Sequence, residues 1–248
     1  MSASPANSQS LSNSASGYSG IQEHSGPLHS FLEHTTLLLF PLVVGLNLYW
    51  ASARLHELES LWLIVVAIPL GVVGGDLVSG IVHWAADTYG SEDTPLIGPS
   101  LVKPFRLHHL YPRDICTHGL VETTGNVCIL AVPVLSVWLY LMWLMPESGL
   151  LAFSGVCLAL VAAATVATNQ FHKWAHQENP SSFARWLQSK RLVLEPEHHQ
   201  QHHTQPFNMN YCITNGWLNP LLNKLKFFRR LEAALAWFGI KTAKSSHP

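Results

Sequence analysis

Ten of the fifteen histidines lie between His83 and His203, and they come in short clusters. Imidazole is a strong ligand for transition metals, so the clusters are read first as metal chemistry. The tightest is Glu197-His198-His199-Gln200-Gln201-His202-His203, which offers both i,i+3 and i,i+4 histidine pairs on a helix. His172 and His176 stand at the H-x-x-x-H spacing that puts two ligands on one helix face. His83 and Asp87 repeat that spacing. Asp76 lies on the same side seven residues earlier, roughly 10 Å along a helix axis. His108-His109 sits in a polar segment, where adjacent histidines can serve two neighbouring metals, and His118 and Glu122 follow with another four-residue spacing.

Ligand number selects among metals. A zinc site takes four ligands in all, three of them from protein when it is catalytic. These clusters exceed what one ion can use, and two iron ions fit better. Iron also suits an apolar setting, because attack on an unactivated C–H bond of a lipid chain needs an oxidant made from O2, which a non-haem iron site supplies. The chain has no G-x-G-x-x-G fingerprint and no C-x-x-C-H haem attachment, so reducing electrons must come from another protein. His24, His29, His34, His56 and His247 stand apart and are read as non-ligating.

The elements that must position these residues are apolar. The 248-residue chain is 48% hydrophobic and only 12% charged, unlike an ordinary soluble domain. Residues 35–53, 61–84, 127–145 and 149–171 are long enough, or nearly so, to cross a bilayer. A span must satisfy its own backbone in lipid, so the expectation is an all-α polytopic membrane protein with four transmembrane helices, bent where Pro41, Pro69 and Pro133 fall. Gly71, Gly74, Gly75 and Gly80 on the second run permit close helix packing. Ionisable Asp76 at depth is costly there and reads as a ligand or as a group that orients an imidazole. Residues 1–30 hold ten Ser and no Lys or Arg and read as a disordered tail. A membrane domain follows over 31–240, with a flexible tail at 241–248. Residues 224–230 read equally as a basic interfacial helix that contacts anionic headgroups or as a dock for an acidic electron donor.

Charge orients the spans. The connector at 53–60 has one Arg against two Glu, and 146–148 has no basic residue. Lys103, Arg106 and Arg113 lie between the second and third spans, and ten further Lys and Arg follow the fourth from Lys173 to Lys244. Positive-inside bias therefore places both termini, and every histidine from His83 to His203, at the cytoplasmic face. A bacterial inner membrane and an endoplasmic reticulum would give the same bias. A net charge of −1 offers no case for nucleic-acid binding. Cys116, Cys128, Cys157 and Cys212 lack C-x-x-C spacing and read as reduced thiols.

At the same residues the chain resembles the Kua-type lipid desaturases. The matching stretches are Gly80-Ile81-Val82-His83-Trp84-Ala85-Ala86-Asp87-Thr88-Tyr89-Gly90, Pro104-Phe105-Arg106-Leu107-His108-His109, and His118 with Glu122-Thr123. Asn169-Gln170-Phe171-His172-Lys173-Trp174-Ala175-His176, the histidines from His198 to His203, and the run from Asn210 through Cys212 and Gly216 to Asn219 complete the set. The resemblance implies a membrane enzyme with a histidine-bound di-iron centre, O2 as co-substrate, and a cytochrome b5 or ferredoxin-like electron donor. One branch of that family forms the vinyl ether bond of plasmanylethanolamine lipids. The other is a plant plastid enzyme that places a double bond in a phosphatidylglycerol acyl chain. His118 with Glu122-Thr123-x-Gly125 resembles the first branch, whereas Pro206-Phe207-Asn208-Met209-Asn210-Tyr211 is nearer the second. The implied ligands are His83, His108, His109, His172, His176, His199, His202 and His203. His198 precedes the family's H-x-x-H-H core and ranks below them, and Asp76, Asp87, His118 and Glu122 are further ligands or orienting groups. Competing readings are a lipid hydroxylase on the same centre and a metal transporter or sensor. Transport predicts polar ligands through the depth of the bundle, yet only Asp76 clearly lies within a span.

Overall fold

The computed structural model describes residues 26–95 and 97–243. The Ser-rich tail up to residue 25 and residues 244–248 of the C-terminal tail lie outside them. In chain order the helices are α1 (Pro27–Glu57), α2 (Trp62–Thr88), α3 (Lys103–Leu110), α4 (Leu120–Leu144), α5 (Gly149–His176), α6 (Ser182–Ser189), α7 (Pro196–His202), α8 (Asn219–Lys224) and α9 (Phe227–Trp237). No strand occurs among the described residues. The all-α expectation holds, and α1, α2, α4 and α5 are the four helices long and apolar enough to cross a membrane. Their outer faces are apolar: Leu38, Val65, Leu130 and Leu150 are each at least 70% exposed. Water would penalise such a surface, and lipid does not.

Each span runs past the bounds that hydropathy suggests. Helix α1 opens with Pro27 at a position where the missing N–H costs nothing, inside the stretch assigned to the tail. Helix α2 continues beyond Trp84 to Thr88, α4 starts at Leu120, and α5 continues to His176. Hydropathy falls at the first polar residues, but backbone hydrogen bonding continues where other protein covers the helix. These added turns carry Asp87, Glu122, His172 and His176. Pro41, Pro69 and Pro133 sit inside continuous helices.

Helix α5 is the hub, packing on α1, α2 and α4, while α1 also packs on α4. Buried Asn47 of α1 donates from Nδ2 to Leu135 O of α4 at 3.1 Å, a polar tie where lipid offers no alternative partner. The glycines of α2 allow the α2–α5 contact: a Cβ at Gly71 would overlap Leu160, and one at Gly75 would overlap Ala164. Helices α7 to α9 and the segment between α7 and α8 close over the end of α2, where Trp84, Tyr211, Cys212, Leu222 and Phe228 form a core. Residues 224–230 are therefore not one interfacial helix. Lys226 takes a left-handed φ of 50° between α8 and α9, and Phe228 turns inward against Trp84. Lys224, Lys226, Arg229 and Arg230 remain exposed.

Candidate metal centre

Four elements converge where α2 and α5 end. Helix α2 brings His83 and Asp87, α5 brings His172 and His176, α3 brings His108 and His109, and α7 with its C-cap brings His199, His202 and His203. These residues form two adjacent groups whose ligand atoms all lie within 4.8 Å of one another. One group is His108, His172, His176, His199 and His203; the other is His83, Asp87, His109 and His202. Helices α3 and α7 supply both groups, because adjacent residues on a helix point about 100° apart. His108 and His109 therefore part company, as do His202 and His203.

In the first group the Nε2 atoms face one another. His172 to His199 is 2.8 Å, His176 to His199 is 2.9 Å, and His108 to His176 and His199 to His203 are both 3.0 Å. A neutral imidazole has a single N–H, so a hydrogen-bond network cannot make use of five nitrogens aimed at one point, whereas a cation can. Burial, reinforced by neighbouring imidazoles, holds His108 and His199 well below the usual histidine pKa and lowers His203 to about 2. Near pH 7 these rings are neutral, which is the form that ligates metal.

The second group centres on Asp87. Its Oδ2 lies 3.1 Å from His109 Nε2, 3.4 Å from His83 Nε2 and 3.6 Å from His202 Nε2. His83 Nε2 and His202 Nε2 are fully buried and lack a hydrogen-bond partner. Such orphaned nitrogens cost stability unless a ligand engages them, so this donor set fits a metal ion. The opposite ring nitrogens are fixed from behind. His83 Nδ1 meets Tyr211 O at 3.2 Å, and His202 Nδ1 meets Met209 O at 2.7 Å. Both carbonyls flank Asn210, whose φ of 59° is left-handed, a conformation asparagine tolerates well. These contacts set the Nδ1–H tautomer and leave Nε2 for the metal. Phe105 packs 5.0 Å from the His83 ring, and Phe207 packs 4.8 Å from His109.

The remaining candidates stand outside both groups. Asp76 Oδ1 accepts the N–H groups of Asn215 and Gly216, and Oδ2 accepts that of Leu218, so it holds the segment between α7 and α8 against α2. His198 Nε2 accepts from Asn219 Nδ2 at 2.9 Å. His118 lies between Asp114 and Glu122, and Glu122 caps α4 by accepting the Gly119 N–H. The carbonyls of Met209 and Tyr211 were not foreseen as orienting groups. The run Asn210-Tyr211-Cys212 was visible as a motif, but carbonyls carry no residue-type signal. All four cysteines are free thiols, in line with the sequence reading.

Comparison with known proteins gives a consistent picture. Residues 72–245 match the model of the lipid desaturase domain family. The chain is 42% identical over 177 residues to plasmanylethanolamine desaturase of Myxococcus xanthus, covering 71% of this chain and 62% of that protein. It is 35% identical over 175 residues to plasmanylethanolamine desaturase 1 of Mus musculus, covering 68% and 64%. It is 31% identical over 195 residues to the chloroplastic fatty acid desaturase 4-like 1 of Arabidopsis thaliana, covering 77% and 63%. The matched stretch thus spans less than two thirds of each relative's length. No solved structure matches the chain.

Proposed function

The chain belongs to the lipid desaturase family, and from that we propose that it is an oxidoreductase forming the vinyl ether bond of a plasmanylethanolamine lipid, using two iron ions and O2. The observation that carries the proposal is the pairing of a partly buried five-histidine group with a partly buried group of three histidines and Asp87. The two relatives named plasmanylethanolamine desaturase support the choice of lipid.

The reaction removes one hydrogen from each of the two alkyl carbons nearest the ether oxygen. O2 receives them, together with two electrons and two protons from outside, and leaves as two waters. His108, His172, His176, His199 and His203 would hold one iron, and His83, Asp87, His109 and His202 the other; bound iron supplies the activation of O2. The chain's own residues prepare the site. Backbone carbonyls at Met209 and Tyr211 keep the Nδ1 protons of His202 and His83 in place. Phe105 and Phe207 cover the second group with apolar surface, which excludes water and suits a hydrocarbon chain. Asp76 holds the segment that carries those carbonyls. The electrons come from a separate carrier of the cytochrome b5 or ferredoxin type. The basic residues at the histidine end support a cytoplasmic position for that end and for both termini.

Expression in cells that lack plasmalogens and are fed an alkylglycerol tests the reading. Lipid mass spectrometry should find an acid-labile vinyl ether. A hydroxylated ether lipid, or a new double bond confined to ester-linked chains, from iron-loaded protein would overturn it.

A further inference from the structure

A polar cleft of about 570 Å3 opens beside the five-histidine group, and its wall includes His176, Tyr111, Arg113, Asp114 and Glu178. Arg113 and Glu178 form an ion pair across it, yet their side chains remain 72% and 65% exposed. Arg113 lies in the turn after α3, and Glu178 lies two residues beyond His176 at the end of α5. Asp114 is already engaged by His118 at 3.0 Å.

The proposed reaction constrains where the lipid headgroup must lie. The two reacting carbons sit one ether oxygen away from the glycerol, so the phosphate and its amine cannot be far from the metals. A second cleft, of about 300 Å3, adjoins α7, but Gln201, Thr204, Gln205 and Asn208 give it amides and a hydroxyl without charge. Only the first cleft joins a fixed cation and a fixed anion at a metal ligand's edge. We propose that Arg113 and Glu178 bind the phosphoethanolamine headgroup of the substrate, Arg113 taking the phosphate and Glu178 the primary ammonium. An exposed ion pair contributes little stability, so a zwitterion replaces it at small cost. Guanidinium suits phosphate because it donates two parallel hydrogen bonds. A carboxylate prefers a primary ammonium, with three N–H donors, over a trimethylated one, with none.

This inference rests on the proposed ether-lipid reaction, and its test separates the two. Iron-loaded full chain in aerated mixed micelles, supplied with NADPH, ferredoxin and ferredoxin reductase as the electron source, is given equal amounts of 1-O-alkyl-2-acyl-glycerophosphoethanolamine and its phosphocholine counterpart. Conversion is read by mass spectrometry, and bound lipid by native mass spectrometry. The wild-type chain should prefer the ethanolamine lipid. Glu178→Gln should lower that preference about tenfold, and Arg113→Gln should weaken binding of both lipids about tenfold, with partial rescue in Arg113→Lys. Gln205→Ala, in the other cleft, should behave as wild type. Equal use of both headgroups by the wild-type chain, or an unchanged preference in Glu178→Gln, would overturn the assignment. Selective ethanolamine-lipid binding that the variants abolish, without conversion of either lipid, would uphold the headgroup site and sink the reaction instead.

Discussion

Asp87 is the one carboxylate in the two candidate metal groups, and this gives the second group a separate signature. The five-histidine group contains no acidic residue, so loss of Asp87 leaves its ligand set intact. Groups that merely orient a ligand are worth about 10–100-fold in metal affinity, and a lost ligand exceeds that. Asp87→Ala should therefore lower bound iron from two ions per chain toward one and abolish turnover. Metal analysis after dialysis checks this; two retained ions would remove Asp87 from the site. At this scale much could be read from residue types. The i,i+4 pairs His83-Asp87 and His172-His176 share a face in any helix, and the structure brings each pair into one group. His198 shows where such reading ends. It neighbours His199, but its place on α7 turns it to Asn219, and spacing alone does not tell which side of a seven-residue helix faces the other histidines.

Among elements, the α2–α5 contact sets the distance between the two groups, since α2 carries His83 and Asp87 while α5 carries His172 and His176. That contact depends on glycine because a Cβ at Gly75 would collide with Ala164 Cβ. Overpacking a fitted interface costs about 1–3 kcal/mol. Gly75→Leu should lower the thermal unfolding midpoint in detergent and reduce activity, whereas Gly45→Leu, at a glycine whose added Cβ meets nothing within 4 Å, should change neither. Equal midpoints for the two variants would show that close approach of α2 and α5 is not required. The glycine stripe on α2 was legible; its partner α5 was not, because apolar runs carry no pairing code in lipid. The assignment of adjacent histidines to different groups was likewise hidden, since it depends on how α3 and α7 rotate against the ends of the spans. Asp76 was read as a ligand or orienting group from its cost in an apolar helix. That cost is met by three backbone N–H groups from a segment about 140 residues away, a tertiary contact that no local pattern announces.

At the scale of the whole molecule, four bilayer crossings would put the start of α1, the α2–α3 connector and the end of α5 on one side, with the α1–α2 and α4–α5 connectors on the other. The charge distribution agrees: Arg54 is paired with Glu57 in its own turn, while Lys190, Arg191, Lys224 and Arg230 are exposed at the metal end. Single cysteines report this arrangement, because a membrane-impermeant maleimide reaches one side only. In a background with Cys116 and Cys157 replaced by Ser, Glu59→Cys and Glu147→Cys should label in intact cells, and Lys190→Cys only after permeabilisation. The reverse pattern would invert the orientation, and labelling of Glu59→Cys and Glu147→Cys from opposite sides would break the four-span topology. The orientation bears on chemistry as well as placement. The two candidate metal groups, the Arg113–Glu178 cleft and the exposed basic residues share one end of the bundle, so under the proposed function lipid headgroup and electron carrier would approach from the same compartment. Under that function the alkyl chain would come from the leaflet that faces it.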